Sequence, residues 1–131
     1  MEIQDIPASQ WPEMLDQFSR RHHGQDVHVE ILGPDIGLHQ QADRIPLLGV
    51  IAELSPSADQ KIDVMAGAPG GALISHAIEH PSRIRLCEWN DGVSAELEIE
   101  SRGGYLTRVR VGPPEQTLPP GGITDGLYER Y

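Results

Sequence analysis

Three carboxylates, Glu96, Glu98 and Glu100, alternate along one segment, which places them on one face if the segment is a strand. Same-face neighbours on a strand lie roughly 6.6–7 Å apart, within reach of general acid–base chemistry. Arg83, Arg85, Arg108 and Arg110 alternate in two nearby segments with the same period. Arginines beside carboxylates hold them ionised, the opposite of what a general acid needs. The expectation is therefore a salt-laced outer sheet face rather than a catalytic pair.

The chain has 6 histidines and one cysteine. His22 and His23 are adjacent, so on a helix their side chains diverge by roughly 100° and cannot easily share an ion. His28, His76 and His80 fall on strand-like segments, where the helical i, i+4 logic of paired zinc ligands does not apply. With no second thiol a structural zinc site is disfavoured, and no metal or cofactor is expected. Cys87 alternates with Arg85 and Trp89 and falls opposite Glu96, a neighbour that raises a thiol pKa and blunts a nucleophile. No Gly-x-Ser-x-Gly elbow, Walker loop or Rossmann fingerprint occurs. Ala66–Gly71 is glycine-rich but lacks the lysine and following helix of a phosphate cradle, and reads as a hairpin loop.

Two groups remain as candidate binding residues. Arg20, Arg21 and His22 form a basic cluster at a helix C-terminus, where positive charge also complements the macrodipole. His76 shares a phase with Ile74 and Ile78 and is buried if they face the core. It must then hydrogen-bond or stay neutral.

The elements that position these groups follow from periodicity. Trp11, Met14, Leu15 and Phe18 form one apolar stripe within a helix over 9–23, with Ser9 as N-cap and Gly24 as the left-handed stop. Strand patterns follow at 27–32, 36–45, 47–54, 61–66, 72–78, 82–89, 93–100 and 105–111, with Pro46 separating two of them. A two-residue Asp91-Gly92 turn sets Arg85 opposite Glu98 and Ile84 opposite Ile99. A three-residue turn at 102–104 sets Arg108 against Glu98 and Arg110 against Glu96. A slip of one residue destroys the charge pairing and the apolar face together. The fold class is α+β: one N-terminal helix, then a mainly antiparallel meander curled into a small barrel or half-barrel. Residues 1–111 form the domain, and the Pro/Gly-rich segment 112–131 has no alternating pattern.

A net charge of −10 opposes binding to nucleic acid or to an acidic membrane surface. No apolar run reaches the roughly 18 residues that span a bilayer. The acidic N-terminus carries no secretory signal pattern, and a single cysteine fits a reducing cytoplasm.

The block Phe18-Ser19-Arg20-Arg21-His22-His23-Gly24, with Val27-His28-Val29-Glu30-Ile31-Leu32-Gly33-Pro34-Asp35-Ile36-Gly37, resembles a family of short uncharacterised bacterial proteins defined as a domain of unknown function. The resemblance continues through Ile45–Val50, His76–Ile78 with Pro81, and Leu97–Ser101. It implies a bacterial, cytoplasmic, stand-alone domain and carries over no catalytic residue. The expected function is a non-enzymatic binding or accessory module acting through protein partners or self-association. The alternative is an enzyme or small-molecule binder with a pocket near His76.

Overall fold

A computed structural model describes residues 1–54 and 60–112. The loop expected at 55–59 and the Pro/Gly segment from 113 onward lie outside the described residues. Strand β1, Glu2–Ile6, precedes a 3₁₀ turn at Ala8–Gln10 and helix α1, Trp11–His22. Then come β2 Asp26–Gly33, β3 Gly37–Glu53, β4 Lys61–Gly67, β5 Leu73–Glu79, β6 Pro81–Glu88, β7 Ala95–Ser101 and β8 Tyr105–Val111. All pairings are antiparallel, in one sheet of order β1-β6-β7-β8-β2-β3-β4-β5. Among the described residues the sheet has two end strands and is not closed, so it is a curled half-barrel.

The register deduced from the two hairpins holds. Arg85 pairs with Glu98, Ile84 with Ile99, Glu98 with Arg108 and Glu96 with Arg110. The turn between β6 and β7 is wider than the expected two residues. Its ladder ends at Glu88–Ala95, and the Asp91 carboxylate accepts from Val93 and Ser94 N–H. The inner face of Ile84, Leu97, Ile99, Val109, Val111, Val27 and Val29 packs with Ile62, Val64 and Ile78 into one core.

Three elements differ from the sequence expectation. β1 carries no apolar alternation, and its pairing with β6 is what makes it a strand. Ser9 does not cap the helix: Gln10 holds the N-cap position, without a side-chain bond. Gly24 does take the left-handed conformation, φ 84°. The two segments flanking Pro46 are one continuous strand of 17 residues. Pro46 stands where β3 exchanges β2 for β4: Asp26 pairs with Pro46, and Leu47 pairs with Ala66. A residue without an N–H fits a point where one ladder ends and another begins.

Among the described residues that exchange leaves one edge of the second half of β3 without a strand, and the helix and its exit close it. Ser19 Oγ accepts from Val50 N–H at 2.8 Å, and lies 3.1 Å from Val50 O and 2.8 Å from Leu15 O. Gly24 N donates to Leu47 O, and Leu47 N to Gln25 O, each at 2.8 Å. The stripe expected from the sequence drives this docking: Trp11, Leu15 and Phe18 are buried, and Met14 is half-buried. Trp11 Nε1 donates to Ile6 O at 2.9 Å, tying helix to β1.

Two losses are expected here. Phe18→Ala should destabilise by about 3–5 kcal/mol, because the ring is packed in the core. Ser19→Ala should lose about 1–3 kcal/mol by orphaning a part-buried N–H. Chemical denaturation measures both, and an unchanged midpoint in either variant would show that α1 does not brace β3.

Candidate functional site

The structure separates the sequence-named residues into two places. Arg20 pairs with Asp16 across one helical turn at 3.1 Å and is solvent-exposed. Arg21 reaches Glu88 on β6 at 2.8 Å. His22 is buried, stacked on Phe18 with ring centroids 4.7 Å apart, and its Nδ1 lies 2.6 Å from Gln25 Oε1. Burial pushes its pKa down, opposed by the Gln25 hydrogen bond. Arg21 and His22 line a groove of about 410 Å³ between α1, β1 and β6, with Met14, Phe18 and Glu88. His23, as expected, diverges and is exposed.

His76 lies elsewhere. It is half-buried on the inner face of β5, its Nε2 3.4 Å from Thr107 Oγ1 across the interior. Burial lowers its pKa, and Asp63 on β4 acts against that shift. With Ile31, Ile36, Ile78, Arg102 and Tyr105 it lines a cleft of about 430 Å³ beside β5. Two local devices shape the cleft. A Cβ on Gly33 would meet the Tyr105 ring at 2.6 Å, so glycine lets that ring lie against β2, where its hydroxyl donates to Asp35 at 2.8 Å. His80 takes φ 53°, turning the chain from β5 directly into β6. Its N–H is held by Gln60 O at 2.9 Å, and its carbonyl accepts from Arg102 N at 3.1 Å.

The carboxylates on the opposite sheet face are where the structure corrects the sequence expectation most sharply. That face was expected to be solvated. Instead Glu96 is 0% exposed, Glu98 1% and Glu30 6%. Arg85 meets Glu98 at 3.0 Å, and Arg108 meets Glu30 at 3.1 Å and Glu96 at 3.4 Å. His28 bridges Glu30 and Asp43, each at 2.8 Å. Among the described residues neither Glu96 nor Glu98 has a well-aligned hydrogen-bond partner for its buried carboxyl oxygens beyond these ion pairs. Desolvation outweighs the arginines, raising the Glu96 pKa to about 8 and that of Glu98 to about 7. The neighbouring Cys87 is buried, and the same desolvation with Glu96 beside it raises the thiol to about 12, so it is no nucleophile. Acidic groups with raised pKa could in principle transfer protons, but they sit beneath the surface, away from both clefts. Among the described residues no group of three His, Cys, Asp or Glu is placed to hold a metal. No described helix is long and apolar enough to cross a membrane.

One element stands out that carries no chemical motif: β5. It ends the sheet order, with a strand neighbour on one side only among the described residues. Edge strands are ordinarily blunted by charge, proline, a bulge or short length. The other end strand, β1, is short and carries Glu2 and Asp5, the latter bonded to Arg83 at 2.6 Å. β5 has none of these devices before its last residue, Glu79. No Asp, Glu, Lys or Arg occurs from Val64 to Ile78, in a chain that is 23% charged. Leu73 is 64% exposed, and Ser75 and Ala77 on the same face are exposed and small. A lack of charge over one hairpin is the sequence signal that marks this edge.

The buried carboxyls generate a prediction about pH. Folded Glu96 retains a proton that the unfolded chain releases above the ordinary carboxylate range, so its burial costs stability as pH rises from about 4.5 towards 8. His22 and His76, held neutral by burial, act in the opposite sense, but only below the ordinary histidine value of 6.5. Between about pH 7 and 8 the glutamate effect stands alone, because the buried Cys87 thiol adds a loss of the same sign only as pH nears its ordinary value of 9.0. Wild type should lose stability over that interval, and Glu96→Gln, which mimics the protonated acid, should lose less. Parallel pH profiles for the two proteins would contradict the assignment.

Comparison with known proteins adds a family and no activity. A family model described as "Family of unknown function (DUF5335)" matches residues 2–120. An "Uncharacterized protein" of Aquifex aeolicus (strain VF5) is 28% identical over 116 residues, spanning 87% of this chain and 97% of that one. No solved structure matches.

Proposed function

The chain belongs to this family of unknown function, and we propose that it is a non-enzymatic binding module that takes an extended protein segment along the open edge of β5. The observation that carries this reading is the edge itself, uncovered among the described residues and bordered by the cleft at His76. An extended segment added there gains main-chain hydrogen bonds from β5 and apolar contact from Ile31, Ile36 and Tyr105. The groove at Arg21 and His22 supports binding less, since Arg21 is already spent on Glu88 and His22 is packed against Phe18. His76 stands as a wall of the cleft rather than a catalytic base: its ring meets a threonine hydroxyl, and among the described residues no carboxylate is bonded to orient it. A cytoplasmic setting accords with the single free, buried cysteine. The net charge disfavours nucleic acid and acidic membrane as partners.

Selection of displayed random peptides on the folded protein tests the proposal. Selected binders should perturb β5 amides in two-dimensional NMR spectra. N–H groups alternate sides along an antiparallel strand, so one of Ser75→Pro and His76→Pro removes an outward N–H, which an edge strand tolerates. Whichever variant keeps the wild-type melting transition should weaken binding at least about tenfold, one lost charge-free hydrogen bond with its steric clash being of that order. Binders that map to the α1 groove, or ignore both prolines, would overturn it.

A further inference from the structure

The geometry points to a second copy of this chain as the occupant of the β5 edge, paired antiparallel about a two-fold axis through His76; this rests on the edge-binding reading above. Self-pairing is constrained by parity. A two-fold axis perpendicular to the sheet keeps inner face against inner face, so only registers that pair like-facing residues are allowed. Among these, centring on His76 alone engages the whole strand, Leu73 to Glu79. It sets Ile74 against Ile78 of the second copy on the inner face, where Ile78 is buried and Ile74 half-buried. It sets Ser75 against Ala77, both small and exposed, on the outer face.

Charge narrows the choice of occupant. Two molecules of net charge −10 repel wherever their acidic surfaces meet. From Val64 to Ile78 the β4–β5 hairpin has no formal charge, and it is the approach where that repulsion is least. Exposed Leu73 lies on the outer face of β5 itself and supplies apolar area at the seam. The sheet would then run continuously through both copies, with no open β5 edge left.

The pairing has a built-in pH dependence, since the two His76 rings become direct cross-strand neighbours. Around each ring stand Val64 and Asp63 of β4, Thr107 of β8, and Glu79, His80 and Arg102 of the same cleft. Burial disfavours the charged ring and Asp63 only partly offsets it, and two charged rings opposite one another further oppose pairing.

Sedimentation equilibrium of the full chain should show a monomer–dimer equilibrium at micromolar protein. Its dissociation constant should rise about threefold or more between pH 7.5 and 5.5, the order of a like-charge cross-strand pair. Oxidation of a Ser75→Cys, Ala77→Cys double variant should give a covalent dimer, and Ser75→Cys alone should not, because only the double variant places thiols opposite one another. Buried Cys87 is a spectator in both. Equal crosslinking of both variants would overturn the register. A chain that stays monomeric to about millimolar concentration, yet still binds selected peptides along β5, would overturn self-pairing and leave edge binding intact. A monomer that binds neither would overturn both.

Discussion

Everything in this fold depends on β3 serving two neighbours in turn. Its first half completes the β2 side of the sheet, and its second half starts the β4–β5 hairpin. The exchange at Pro46 curls the sheet and brings His76 of β5 within 3.4 Å of Thr107 of β8. It also exposes a run of backbone polar groups, and a buried unpaired N–H is expensive. Helix α1 resolves that problem through Ser19 and through the Gly24–Gln25 corner. The helix therefore acts as an edge cover as much as a core-packing element. β5, at the far end of the same curl, has no such cover among the described elements.

The buried ionic face shows how far desolvation can outrun pairing. Three arginines surround Glu30, Glu96 and Glu98, and still the two β7 carboxyls are raised well above the ordinary range. Buried ion pairs contribute little net stability for this reason, because the attraction barely offsets the loss of water. What the cluster does supply is register. Slipping β7 by one residue against β8 would bury Glu98 against aliphatic side chains without an arginine. Specificity of strand pairing, rather than chemistry, is the account that fits these groups.

The sequence disclosed registers better than surroundings. Strand pairing at β6–β7–β8 was legible because period-two alternation and turn length jointly constrain it, even though the first turn proved wider than expected. His76's half-burial was legible from its phase with Ile74 and Ile78. The burial of Glu96 and Glu98 was not, because alternation divides a strand into two faces without saying which is covered. β1 was missed because its partner, not its own pattern, makes it a strand. β3 was divided in two because proline usually ends a strand, and the exception needs knowledge of the exchange of partners. The β5 edge required the strand order, which no local pattern encodes.

Amide hydrogen exchange of β5 as a function of protein concentration tests the central claim most directly. In dilute protein the outward-facing N–H groups between Leu73 and Glu79 should exchange rapidly while those bonded to β4 are protected. At high concentration the outward set should become protected too. Uniform protection of both sets in the dilute monomer would contradict the account, because the edge would already be closed.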